Sequence, residues 1–477
     1  MNSQIDFGIL LEYDGIQEIQ TIANAFSVEA YLVGGCIRDC ILRRFPINEL
    51  DIVIVGDGIS FAKKVHAQLK EASKFVVYKT YGTAMFQYNN LVYEFVGARK
   101  ESYSHDSRNP IVKTGTLRDD LYRRDFTINA LAISLNSKTL GNLHDYFNGL
   151  GDLKSQLIRT PLEPSKTFSD DPLRILRAIR FATRLEFNIE PKTVAGIQNN
   201  RHRLEIVSRE RIVDELHKIL STPKPSIGLK LLDEYGILEL LIPEVTNLKG
   251  IEEIDGYTHK DNFLHTLQVV DNISRTTNKL WLRWAALLHD IGKPTTKKFI
   301  PPSKWTFWNH ELVGSKMVKP IFKRLHMPLN EHLRYVQKII SMSSRPISIV
   351  EDSVTDSAIR RLVFDAGDHI DDLITLCQAD ITTKNKDRFQ DYYNNFEIVK
   401  QKIVEVENRD RLRNFQPPIS GDFIMDYFNL KPSKQVGVIK EAIKEAILQG
   451  DIENDYSQAF QLMVQEGKKL GLISNEK

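Results

Sequence analysis

Strand-like apolar runs recur between residues 27 and 135 of this chain and then stop. AYLVGG, LDIVIVG, KFVVYK, LVYEFVG and ALAISL are short and rich in β-branched and aromatic residues, with helical stretches such as GISFAKKVHAQLKEA between them. That alternation predicts an α/β head over residues 1–150. After NGLGDL near residue 150, apolar positions recur at helical spacing through DDPLRILRAIRFATRL, RIVDELHKIL and IGLKLLDEYGI. A helical neck is expected over 151–245. A third, all-α region over 246–413 follows the joint PEVTNLKGIEEIDGYTHKD. A tail of two helices over 414–477 follows the joint NFQPPISGDF. The polar stretch KESYSHDSRNPIVKTG, between Arg99 and Leu117, has no periodicity and reads as a mobile loop.

At 477 residues the chain exceeds a single compact core, which agrees with three or four domains. A net charge of +2 means that any nucleic-acid surface must come from local clusters of Lys and Arg. Three cysteines with no metal-ligand spacing argue against a disulfide scaffold; Cys36 and Cys40 are expected on one helix face, buried or half-buried. No apolar run is long enough to span a bilayer, and MNSQIDFGIL has no basic lead. A soluble cytoplasmic protein is expected.

The densest chemistry lies in YLVGGCIRDCILRRFPINELDIVIVG. Gly34-Gly35 between a strand and a helix lets the backbone approach a ligand, with helix N-terminal amides aimed at phosphate. Arg38, followed by Asp39, lies one turn into that helix, within reach of triphosphate oxygens. Glu49 and Asp51 are two apart on a strand and project from one face. Two hard oxygen ligands opening onto solvent suit Mg²⁺, and Glu94 on a later strand would complete a carboxylate triad. The plain alternative is a polar strand entrance. In LYRRDFTINAL, Arg124 follows Arg123 and precedes Asp125, a candidate cap of a short helix, with Asn129 one turn on. Alone it reads as a solvated basic turn; beside the first cluster it reads as a phosphate contact.

On a helical wheel, Arg174, Arg177, Arg180 and Arg184 share one side, opposite Ile175, Leu176, Ala178, Ile179 and Ala182. That face is either solvated or functional. Asp171 and Arg174 are three apart, expected as neighbours on the helix. A carboxylate accepts from an exocyclic amine while a guanidinium donates to the adjacent ring acceptor. Adenine and cytosine both present that edge; guanine and uracil do not. Such a pair would admit ATP and CTP and reject GTP and UTP, at roughly 1–3 kcal/mol per misplaced contact.

In LVGGCIRD, the carboxylate strand, RRDFTINAL, NGLGDL, DDPLRILRAIRF and RERIVDELHKIL, the chain resembles the class II CCA-adding tRNA nucleotidyltransferases and bacterial poly(A) polymerases. The resemblance implies a nucleotidyltransferase head like that of DNA polymerase β, followed by an all-α neck, body and tail. It implies Mg²⁺ on Glu49 and Asp51, with Glu94 third, and nucleotide contacts from Gly35, Arg38, Arg124, Arg177 and Arg180. It makes Asp171 and Arg174 the CTP/ATP template, and tRNA the partner, with KPSKQVGVIKEAIKEAILQG a candidate contact for the tRNA elbow. One position departs from the family pattern: its carboxylate pair is Asp-x-Asp, and here the first is Glu49, one methylene longer. A displacement of about 1 Å can cost roughly 100-fold in rate, so reduced activity is expected. The stretch at 99–117 argues against CC-only addition, since that subgroup shortens it.

HDIGK after an apolar helix resembles the HD phosphohydrolase superfamily and implies a second metal on His265, His289, Asp290 and Asp380, with His310 as an extra ligand. Related sequences carry histidines where this one has Trp308 and Ser343, which implies a mononuclear site; a structural α-domain without hydrolysis stays open. The readings that compete with CCA addition are a poly(A) polymerase using ATP alone, a metal-dependent phosphohydrolase whose head only binds nucleotide, and a non-catalytic RNA-binding protein.

Overall fold

The computed structural model describes residues 7–79, 82–104, 107–254, 257–258, 260–301, 304–351, 355–383, 385–410 and 417–472. They divide into two compact units, Met1–Leu238 and Glu239–Lys477.

The first unit opens on a mixed sheet. Its strands are β1 (Ala30–Val33), β2 (Glu49–Ile54), β3 (Val76–Tyr78), β4 (Thr83–Tyr88), β5 (Leu91–Gly97), β8 (Ala132–Ser134) and β9 (Leu143–His144), ordered β3-β4-β5-β2-β1-β8-β9. Only β2 and β5 pair in parallel; every other neighbour is antiparallel. Side chains alternate across these strands. Leu50 and Ile52 of β2, with Tyr93 and Phe95 of β5, are fully buried. The helix Gly58–Gln68 covers this face, with the Phe61 and Phe95 rings 6.1 Å apart. That helix starts where it does because Asp57 caps it, Oδ1 accepting from Ser60 N at 3.0 Å. Glu49, Asp51 and Glu94 project from the other face, which the helix leaves uncovered.

The stretch expected as a mobile loop is instead an antiparallel hairpin, β6 (Arg99–Ser104) and β7 (Ser107–Thr114), with Arg99 opposite Thr114 and Lys100 opposite Lys113; residues 105–106 lie outside the described set. Its strands are stabilised by cross-strand backbone bonds and carry no apolar alternation, so periodicity could not find them. Strands β4 and β9 were likewise not expected. The helix Leu173–Leu185 buries Ile175, Leu176, Ala178, Ile179 and Ala182, as its wheel predicts.

The second unit is helical. Asn262–Thr276, Leu280–Leu288, His310–Arg324, Glu331–Met342 and Ile370–Asp380 surround a core that includes Trp284 and Phe322. The 25-residue helix Lys386–Asp410 follows. Of the expected joints, residues 255, 256, 259 and 411–416 lie outside the described set. Among the described residues beyond 416 there are three helices, Gly421–Phe428, Lys434–Gln449 and Tyr456–Lys469, rather than two. The first of them is short and had read as part of the joint. Cys36, Cys40 and Cys377 are buried, and none is in a disulfide. No described helix is long and apolar enough to cross a membrane.

Backbone closeness at the top of β2 yields a test. A Cβ on Gly58 would lie 2.5 Å from Gly97 N and 2.6 Å from the Val96 carbonyl carbon, whereas one on Gly437 would meet nothing. Gly58→Ala is expected to lower unfolding free energy by about 1–3 kcal/mol. Gly437→Ala, inside the exposed face of a helix, should raise it by about 0.5–1 kcal/mol. Denaturant melts of the two variants check both signs.

Candidate active site and a second metal-type cluster

The parallel register places Asp51 directly beside Glu94. One oxygen from each of Glu49, Asp51 and Glu94 lies within 4.8 Å of the others. Burial pushes the Asp51 carboxyl up to about 6; Arg124 opposes this and Glu49 adds to it. Burial, with Asp51 and Glu49, also raises Glu94. Three crowded carboxylates that resist sharing negative charge are a fitting donor set for a divalent cation with oxygen preference. Gly34 makes room for them. Its φ is +81°, and a Cβ there would come within 2.9 Å of Arg124 Nη1 and 3.2 Å of Asp51 Oδ2.

These carboxylates line a cleft of about 500 Å³ together with Gly34, Gly35, Arg38, Arg124, Asp125, Asn129, Asp171, Arg174, Arg177 and Arg180. Among the expected residues Asp39 alone is not in the wall. It grips the Arg38 guanidinium in two bonds of 2.9 Å and lies 3.3 Å from Arg184. Arg38, buried on the helix Gly35–Ile41, donates to Asn129 Oδ1 at 2.6 Å. Asn129 Nδ2 donates to Asp125 Oδ1 at 3.0 Å, and Arg177 binds Asp125 Oδ2 through Nε at 2.8 Å and Nη2 at 2.6 Å. Burial works against the Asp125 charge, yet Arg177 and Asn129 hold its carboxyl down at about 2. Asp125 therefore does not cap the short 3₁₀ turn Thr127–Asn129, as expected from sequence; it joins that turn to the arginine helix.

Asp171 also differs from expectation. It precedes the helix rather than sharing it, and its Oδ1 accepts from Leu173 N at 3.2 Å. Pro172 explains this, since the residue before a proline avoids helical backbone. Arg174 sits in the first turn and donates to Arg123 O at 2.6 Å, so both side chains still line the cleft. The cationic face is not simply solvated: Arg174 is buried, and Arg180 pairs with buried Glu215 at 2.7 Å.

Sequence reasoning passed over Phe181, Glu215 and Asp120. The Phe181 ring lies under three guanidinium groups, Arg38 at 5.0 Å, Arg177 at 5.5 Å and Arg180 at 4.5 Å. Its position inside the arginine repeat was the available signal. Asp120 takes both Arg123 and Arg124.

In the second unit, His265, His289 and Asp290 each offer a ligand atom within 4.8 Å of the others. Asp380 Oδ1 lies 2.7 Å from His265 Nε2 and 3.5 Å from His289 Nε2. Buried His289 Nε2 and Asp380 Oδ1 have no aligned hydrogen-bond partner. His289 Nδ1 is engaged with Ala286 O at 2.8 Å and His310 Nδ1 with Phe307 O at 2.9 Å. Those carbonyls engage Nδ1 and turn Nε2 inward, as in metal-binding histidines. His310 Nε2 stands 3.6 Å from Asp290 Oδ1. Burial disfavours charge on His289, but Asp290 and Asp380 lift it to about 9. The orphaned buried atoms fit a transition-type divalent metal.

A mixed sheet bearing a carboxylate triad beneath an arginine helix, with a separate His/Asp cluster in a helical unit, defines a nucleotidyltransferase with an HD-type domain. Family models agree: Poly A polymerase head domain over residues 30–159, probable RNA- and SrmB-binding site of polymerase A over 186–249, and HD domain over 262–380. The chain is 30% identical to the A-adding tRNA nucleotidyltransferase of Deinococcus radiodurans, across 70% of this chain and 76% of that one. It is also 30% identical to the multifunctional CCA protein of Vibrio vulnificus, across 74% and 85%. The fold matches the Thermotoga maritima CCA-adding enzyme complexed with tRNA at a TM-score of 0.60 and 21% identity, over 97% of both chains. It matches a CCA-adding enzyme complexed with ATP at 0.63 and 22%, over 97% of this chain and 96% of that one. The chain belongs to the tRNA nucleotidyltransferase and poly(A) polymerase family.

The two ionisation shifts make opposite predictions. A carboxyl raised in the folded state binds protons more tightly than in the unfolded chain. Asp51 therefore costs stability progressively as pH rises from about 4 through 6. Asp125 is depressed, so its contribution is present above pH 4 and is lost as pH falls toward 2. In metal-free protein at pH 7, Asp51→Asn should raise the melting temperature and Asp125→Asn should lower it. At about 1.4 kcal/mol per pKa unit, each effect has a ceiling of roughly 3 kcal/mol. Calorimetry in chelator reads both.

Proposed function

We propose that the chain adds CCA to the 3′ end of tRNA from CTP and ATP with release of pyrophosphate. The observation that carries this is the single cleft in which Glu49, Asp51 and Glu94 face the arginines of Leu173–Leu185. Glu49 and Asp51, with Glu94, would hold Mg²⁺, which supplies charge neutralisation of the phosphates and activation of the attacking oxygen. Arg38, Arg124, Arg177 and Arg180 bind the triphosphate. Each guanidinium has five N–H donors, so a carboxylate partner leaves capacity for phosphate oxygens. Asp171 and Arg174 select the base at the start of the helix. The RNA 3′-oxygen forms the new bond to the α-phosphorus, the bond to the bridging β-oxygen breaks, and pyrophosphate leaves. The hairpin β6–β7 is retained, against CC-only addition. The A-adding relative supports the same nucleotidyl transfer to tRNA. We assign the neck to 151–245, the HD body to 246–413 and an RNA-binding tail to 414–477, and place the reaction in the cytoplasm.

A second activity is favoured by the histidines with inward Nε2 atoms: metal-dependent phosphoester hydrolysis at His265, His289, Asp290 and Asp380. Lys293, bound to Asp290 at 2.7 Å, supplies a further positive charge there.

The test is extension of tRNA transcripts lacking zero to three terminal residues, with each nucleoside triphosphate singly and CTP plus ATP. Two C residues, one A and a stop are expected, with Asp51→Ala slowing addition roughly 100- to 1000-fold. Addition of A only to transcripts ending in CC would replace the proposal with A addition, and open-ended ATP use with poly(A) synthesis. Asp290→Ala should abolish phosphoester hydrolysis and leave extension unchanged; loss of both together would refute two separate centres.

A further inference from the structure

Phe181 interrupts the arginine repeat of the helix Leu173–Leu185, and its buried ring collects three of the cations that line the cleft. The guanidinium carbons of Arg38, Arg177 and Arg180 lie 5.0, 5.5 and 4.5 Å from its centroid. Helical spacing accounts for one of these alone: Arg177 is four residues back and shares a face with the ring. Arg180 is the adjacent residue, a position that does not face Phe181 on a helix. Arg38 comes from a different helix, Gly35–Ile41. The ring itself is held by Phe126, edge-on at 5.8 Å. Phe126 follows Asp125, the carboxylate that grips Arg177.

The three cations differ in what else holds them. Arg38 donates twice to Asp39 and once to Asn129, and Arg177 donates twice to Asp125. Arg180 Nε lies 2.7 Å from Glu215 Oε2, yet neither atom has an aligned hydrogen bond. Burial pushes the Arg180 guanidinium down to about 10; Glu215 opposes this and Arg177 adds to it. Before a nucleotide arrives, three like charges converging on one point repel one another. The negative face of an aromatic ring offsets that repulsion without taking up N–H donors as a carboxylate would. The guanidinium groups therefore keep donors for phosphate oxygens. Arg180 is closest to the ring and least well hydrogen-bonded, so it depends on the ring most.

We propose that Phe181 is a positioning residue for the triphosphate, its π system gathering Arg38, Arg177 and Arg180 into one fan before the nucleotide binds; this rests on the nucleotidyl-transfer reading given above. The competing role is shape alone, with the ring filling apolar space behind the arginines. Fluorine separates the two. It drains electron density from the face that attracts cations and scarcely changes the outline of the ring. A role in shape survives that change, and a role in gathering charge does not.

The test places mono-, di- and trifluorinated phenylalanine at position 181 of the full chain, with Phe181→Leu beside them. Addition of CTP and ATP to tRNA transcripts is measured with Mg²⁺. KM for both nucleotides should rise stepwise with fluorine content, to about tenfold for the trifluorinated ring and for Phe181→Leu, with kcat within about threefold. Trifluorinated phenylalanine in place of Phe322, buried in the core of the second unit, should leave KM unchanged. The stepwise rise upholds the proposal. A flat fluorine series overturns it, whether or not Phe181→Leu folds. So does a series that lowers kcat alone, or an equal rise in KM from the Phe322 control. If wild type adds no nucleotide to any transcript, the nucleotidyl-transfer reading fails. Calorimetric binding of inorganic tripolyphosphate to the same proteins then decides the role of the ring: Kd rising with fluorine content upholds it, and an unchanged Kd overturns it.

Discussion

The ion pair between Asp125 and Arg177 joins the two halves of the cleft in the first unit. One partner follows the double arginine of the head, the other lies at the middle of the helix Leu173–Leu185. Through Asn129 the same carboxylate reaches Arg38 and hence the glycine turn after β1. Carboxylates on a sheet and arginines on a helix are therefore set by one hydrogen-bonded chain rather than by independent side-chain choices. A buried pair of this kind is weak evidence for stability, but removing one partner would leave the other charge buried without compensation. Its value here lies in geometry.

The two metal-type centres solve opposite electrostatic problems. In the head, three carboxylates crowd together and Asp51 and Glu94 hold their protons more tightly than usual. In the helical unit, half-buried Asp380 is held well below the ordinary carboxylate range by His265 and His289, against the effect of burial. All-oxygen donors suit a hard cation, whereas mixed imidazole and carboxylate donors suit softer ones. The two donor sets thus differ in the kind of cation each would favour.

Much of this was legible in the sequence wherever spacing alone fixes direction. Glu49 and Asp51 had to share a face if they lay on a strand, and the apolar stripe of Leu173–Leu185 had to be buried. The HDIGK stretch pointed to its cluster through its resemblance to the HD superfamily. Other features escaped because they depend on partners distant in sequence. The hairpin β6–β7 has no apolar alternation to announce it. Asp171 was read as helical because its spacing to Arg174 outweighed Pro172, although the proline sets the helix boundary. Asp125 looked like a local cap, and only the approach of Arg177, 52 residues on, gives it another task. Phe181 was hidden among arginines, where periodicity counts it as one more half-buried ring.

The parallel pairing of β2 with β5 has a further meaning. Asp51 and Glu94 meet because the backbone ladder aligns Glu49 with Val92 and Asp51 with Glu94. Strand side chains alternate with a period of two, so the ladder acts as a ruler with two settings. Sliding β2 by one residue would send its acids into the aromatic layer around Phe61 and Phe95 and bring Leu50 or Ile52 to the cleft, and sliding β5 would bury Glu94 and bring Tyr93 or Phe95 there. A single-residue insertion or deletion inside either strand would thus separate the acids, a sensitivity that the flanking loops do not share.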